Sequence, residues 1–108
     1  MTDLQQPENL TEKGKQAHGA ILAFLEKHKL TYTGGCKAFY SPKEWTERKE
    51  EYGCDGELVI VHDGGNVGDA FSYDSENYKM IEEMNILLKP LGVYSEPCTR
   101  WYTAIYLA

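Results

Sequence analysis

The chain is expected to fold as one α+β domain, an antiparallel sheet of about four to five strands packed with two longer helices and one short helix. Three observations predict this. Apolar residues recur at helical spacing in two stretches, first Ala17, Ala20, Ile21, Phe24, Leu25 and His28, then Tyr78, Ile81, Met84, Leu87, Leu88 and Leu91. Between them lies the β-branched run Glu57-Leu58-Val59-Ile60-Val61-His62, bounded by Gly56 and by Asp63-Gly64-Gly65-Asn66, the pattern of a central strand. At the C-terminus Thr99-Arg100-Trp101-Tyr102-Thr103-Ala104-Ile105-Tyr106 alternates with the period of a strand.

The first eight residues are polar and contain Pro7, so 1–8 are expected to form a loosely held tail, with the domain spanning 9–108. Asn9 offers an N-cap, with Glu12 three residues on, for a helix running to about Lys29. Thr33-Gly34-Gly35 reads as a turn into a short strand, Cys36 to Tyr40. Ser41-Pro42-Lys43-Glu44 is a helix start, with Ser41 as N-cap, Pro42 at the first position and Glu44 closing a capping box. That short helix is expected to end near Tyr52-Gly53. After the central strand, Asp63-Gly64-Gly65-Asn66 supplies residues that tolerate positive φ, which predicts a hairpin into a second strand near Val67 to Tyr73. Asp74 or Ser75 caps the third helix, which stops at Pro90 and Gly92. Val93-Tyr94-Ser95 and Thr99 to Leu107 complete a last hairpin.

Length and composition exclude several classes. The chain has 108 residues, room for one domain, and no apolar stretch approaches the ~18 residues of a membrane span. Met1-Thr2-Asp3-Leu4-Gln5-Gln6-Pro7 lacks the basic start and apolar centre of a secretory signal, so a cytoplasmic location without membrane association is expected. The three cysteines, Cys36, Cys54 and Cys98, are an odd number without a C-x-x-C pair and read as reduced thiols. His18, His28 and His62 lack the paired spacing of a metal site, so neither metal nor cofactor is expected. A formal charge of −6 repels a nucleic-acid backbone, which argues against a DNA duplex as partner.

No G-x-S-x-G, P-loop, dinucleotide fingerprint or H-E-x-x-H occurs. A nucleophile could be nominated only by pairing a cysteine with His62 and Asp63, and no spacing fixes that choice. The expectation is therefore a binding protein and not an enzyme. Arg48 and Arg100 are the only arginines, and guanidinium plus aromatic faces is the chemistry that holds a phosphate together with a purine ring. Read as a strand, the C-terminal run places Arg100, Tyr102 and Tyr106 on one face, a candidate binding surface, and Trp101, Thr103, Ile105 and Leu107 on the other, a core face. Phe71, Tyr73, Trp101 and Tyr102 are candidates for stacking on a base, and Arg48 and Arg100 for clamping phosphates. Asn85 stands beside apolar neighbours, where its amide needs either a backbone partner or an adenine edge.

From Phe39-Tyr40-Ser41-Pro42-Lys43-Glu44-Trp45 through Val61-His62-Asp63-Gly64-Gly65 to Cys98-Thr99-Arg100-Trp101-Tyr102-Thr103-Ala104-Ile105-Tyr106, the chain resembles a family of small phage and prophage proteins, the Thoeris anti-defence sponges. The resemblance implies sequestration, without turnover, of a cyclic ADP-ribose-type immune signal or a cyclic oligonucleotide in the host cytoplasm. It also implies a Phe stacked on adenine, arginines on phosphates, and a homodimer or larger homo-oligomer. The alternative from another class is a small inhibitor that binds a host protein through its acidic surface.

Overall fold

The computed structural model describes residues 3–35, 37–71 and 78–108. Its α+β architecture is a four-stranded antiparallel sheet with three α-helices: α1 (Glu12–Lys27), β1 (Phe39–Tyr40), α2 (Pro42–Glu47), β2 (Leu58–Val61), α3 (Tyr78–Leu88), β3 (Val93–Pro97) and β4 (Tyr102–Leu107). The strand order is β1-β2-β4-β3, so β2 and β4 are central. Their register pairs Leu58 with Ile105 and Val61 with Tyr102.

That placement buries both faces of the central pair. On one side α1 and α3 bring Ala17, Ile21, Phe24, Leu25, Met84 and Leu88 against Phe39, Leu58, Ile60 and Ile105. On the other, Trp45 of α2 covers Val59 and Tyr102, with Tyr40, Val61 and Trp101 at the margin. The face of β4 expected to bind ligand is thus a second apolar cluster, and Tyr102 is buried in it. Trp101 is not on the core face either; it precedes the strand and packs edge-on to Tyr102, with ring centroids 4.6 Å apart.

The local start signals act where they are expected in α2 and two residues later in α1. Ser41 Oγ accepts from Glu44 N–H at 3.1 Å while Glu44 returns a bond to Ser41 N–H at 3.0 Å, the reciprocal capping box. In α1 the cap is Thr11, not Asn9: Thr11 Oγ1 accepts from Gly14 N–H, and Asn9 sits at φ 63° in the approach to the helix. Helix α2 ends at Glu47, short of Tyr52, because Lys49 turns to φ 61° and bonds back to the Thr46 carbonyl.

The second strand expected after β2 is not formed over Val67–Ala70, which is a 3-10 helix with Val67 and Ala70 buried. Asn66 is the reason. Its backbone N–H donates to the Tyr32 carbonyl at 2.8 Å while its side-chain carbonyl accepts from Tyr32 N–H at 3.0 Å. The glycine turn therefore clamps the 29–35 loop instead of folding back on β2. A Cβ on Gly65 would collide with the Tyr32 carbonyl, which is why the clamp needs glycine there. Phe71 caps that 3-10 helix, and the rest of the expected strand, including Tyr73, lies outside the described residues.

The expected loose tail is docked from Asp3 onward. Leu4, Pro7 and Leu10 are buried, the buried His18 donates from Nε2 to the Leu4 carbonyl at 2.9 Å, and Ala38 N–H bonds the Asp3 carbonyl at 2.9 Å. Polar residues 5, 6 and 8 face water between these anchors, so the average polarity of the segment concealed them. Leu4→Ala is expected to lower unfolding free energy by about 2 kcal/mol in urea titration. An unchanged midpoint would mean that the segment contributes nothing.

Candidate functional site

Antiparallel pairing of β2 with β4 sets the ends that matter side by side. His62 N–H donates to the Trp101 carbonyl at 2.8 Å, so the residue after β2 faces the loop before β4, where Thr99 and Arg100 stand. The 3-10 helix closes the third side with Gly68, Asp69 and the adjoining Phe71, and Pro97 closes the fourth. The result is an open cleft of about 420 Å³, which also touches Gly65. Its size lies within the range of small-molecule pockets, roughly 300–1,000 Å³.

The interior is aromatic and the rim polar. His62 and Phe71 stack almost parallel, with centroids 5.9 Å apart and an interplanar angle of 12°. Phe71 is only 2% exposed, so it supports the histidine from below, and the part of the pair that a ligand can reach is the half-buried His62. Thr103 Oγ1 lies 2.9 Å from His62 Nε2 and fixes the ring. Burial pushes the His62 pKa below the ordinary value, with only partial opposition from a backbone hydrogen bond and from Asp63. The ring is therefore neutral at physiological pH, and the cation of the cleft is Arg100, which is exposed and makes no ion pair with any described residue. Asp69 is also exposed on the rim, an acceptor set beside a cation and the Thr99 hydroxyl.

Of the expected set, the structure brings together Phe71 and Arg100 and places Arg48, Asn85, Trp101 and Tyr102 elsewhere, while Tyr73 lies outside the described residues. Arg48 is on the opposite face of the sheet, over Trp45, and pairs with Glu50 at 3.2 Å. Tyr102 is buried beneath Trp45, its hydroxyl accepting from Tyr52 N–H at 3.2 Å. Trp101 packs with the same cluster, 5.8 Å from Trp45. Asn85 has found a protein partner: its side-chain carbonyl accepts from Ser95 Oγ at 2.7 Å and from Ser95 N–H at 3.3 Å. The Cys98–Tyr102 and Ala108–Gly92 backbone bonds set the parity of the β3–β4 ladder, so Ser95 N–H points outward from it. Asn85 thus ties α3 over an edge strand that would otherwise offer this donor to another chain.

Sequence reasoning missed Pro97, Thr99, Gly68 and Asp69 as cleft residues. The signal for the first two was partial, since antiparallel pairing of the β2 run with the C-terminal run places His62 beside the Pro97–Arg100 loop only in the register that sets Val61 against Tyr102. Gly68 and Asp69 could not be found while their segment was read as a strand. Among the described residues no helix is long and apolar enough to cross a membrane, and no three His, Cys, Asp or Glu side chains converge to hold a metal ion. No family model, curated protein or solved structure matches the chain.

Because the folded state lowers the His62 pKa from its ordinary value of 6.5, the unfolded chain binds the proton more readily. The stability tied to neutral His62 is complete above that value and is lost as pH falls toward the lower native one. His62→Gln is expected to flatten this part of the profile, seen as a smaller drop in the urea midpoint between about pH 7.5 and about pH 5.5. Equal drops in parent and variant would assign the acid sensitivity to other groups.

Proposed function

We propose that this is a phage-type anti-defence protein that holds a cyclic nucleotide signal of the cyclic ADP-ribose type intact, with the Arg100 cleft as its seat. The observation that carries the reading is an exposed guanidinium at the mouth of a cleft built on the stacked His62–Phe71 pair. A ribose phosphate asks for this set of groups: Arg100 for the phosphate, Thr99 and Asp69 for hydroxyls or an exocyclic amine, and an aromatic surface for the base. Thr103 holds the His62 ring in place through Nε2, which presents a fixed aromatic face to the ligand, and Asp69 adds an exposed carboxylate on the cleft wall.

The electrostatics favour an anion only locally. The chain carries a formal charge of −6, so long-range attraction does not draw a phosphate in, and binding depends on short contacts inside the cleft. A hydrogen bond to a charged group contributes about 1.5–3 kcal/mol. Arg100→Ala is accordingly expected to weaken cyclic ADP-ribose binding about tenfold to a hundredfold in isothermal titration, and Arg100→Lys less. If Arg100→Ala bound every cyclic nucleotide tested as tightly as the parent, the cleft would not be the phosphate site.

A further inference from the structure

The arginine that the cleft does not use occupies a built site of its own. Arg48 caps the C-terminal end of α2, and its guanidinium carbon lies 4.7 Å from the centroid of Trp45 and 5.4 Å from that of Tyr40. Its Nε and Nη2 both approach Glu50 Oε2 at 3.2 Å. The walls beneath it are fixed by the fold. Trp45 is fully buried, its indole N–H donates to the Tyr52 carbonyl at 3.0 Å, and its ring is braced by Tyr40 at 5.1 Å and Tyr102 at 4.9 Å. Two π faces and a carboxylate converging on one point are the chemistry that recognises a guanidinium.

The framework and its occupant differ in how firmly they are held. Trp45 and Tyr102 belong to the second apolar cluster of the sheet, whereas the Arg48 side chain is 44% exposed and is held by one carboxylate and the two rings beneath it. An ion pair with one exposed partner contributes little, and the rings are held by the sheet and by the Trp45–Tyr52 bond, so the guanidinium can leave while they stay in place. The backbone turns away at once, Lys49 adopting φ 61°, so Arg48 reaches the box from the end of a helix and not from within one. The chain as a whole is acidic, which attracts basic partners.

We propose that the Tyr40–Trp45–Glu50 box is an arginine-recognition site, filled in cis by Arg48, that accepts an arginine from a basic peptide segment of a partner protein. Arg48 acts as a tethered competitor: it keeps the aromatic faces covered in the free protein and yields to a partner arginine whose neighbours add further contacts. The site lies on the opposite face of the sheet from the Arg100 cleft.

The test uses the full chain and two short basic peptides that differ only by an arginine or a lysine at the central position. Binding is read by intrinsic fluorescence and by the Trp45 indole N–H resonance. Removing the competitor with Arg48→Ala is expected to tighten the arginine peptide about tenfold, as when a site free a tenth of the time becomes fully free, and to leave the lysine peptide nearly unchanged. Glu50→Gln should weaken the arginine peptide selectively, and Arg48→Gln repeats the opening of the box with a side chain closer in length. Equal affinities of the two peptides for Arg48→Ala and Arg48→Gln, or a Trp45 resonance that neither peptide moves, would overturn the proposal.

Discussion

The pairing of β2 with β4 sets both cores and the cleft. Four residue pairs, from Leu58↔Ile105 to Val61↔Tyr102, put two apolar strands at the centre of the sheet and leave each with two faces to cover. The long helices cover one and the short helix, through Trp45, covers the other. A three-turn helix is not required for the second face because one indole spans both Val59 and Tyr102. The same register carries the chain past the end of β2 to meet the loop before β4, and this meeting creates the cleft.

Local chemistry was legible in the sequence and long-range chemistry was not. The Ser41–Glu44 capping box, the helical stripe of Ala17, Ile21, Phe24 and Leu25, and the Leu58–Val61 run declare themselves within a few residues, and each forms as read. The segment after Gly65 reads as a strand because its glycines suit a hairpin. Asn66, however, bonds to Tyr32, a contact between residues 34 apart in sequence that no turn rule contains. Tyr102 alternates onto an apparently open face, and only the position of Trp45 in space shows that face to be closed. Leu4 docks through His18, again across the fold.

The candidate site was legible in the same partial way. Rarity singled out both arginines, and chemistry singled out Phe71, but the fold decides which of them meet. Arg100 and Phe71 share a cleft, with His62 between the aromatic floor and the opening. Arg48 stands on the other face in an aromatic box with its own carboxylate, and Asn85 serves the edge of the sheet. The protein thus presents two guanidinium environments of different kinds: one exposed and without an ion pair among the described residues, the other seated on rings and paired.

Capture of a nucleotide without turnover, as proposed for the Arg100 cleft, leaves a chemical record. The direct measurement is to incubate the purified protein with cyclic ADP-ribose isomers and cyclic oligonucleotides, remove unbound material, denature the protein and identify what is released by mass-resolved chromatography. One of these nucleotides is expected to be recovered intact and in fixed ratio to protein. Recovery of a cleaved product, or of nothing above a denatured-protein control, would contradict capture without turnover.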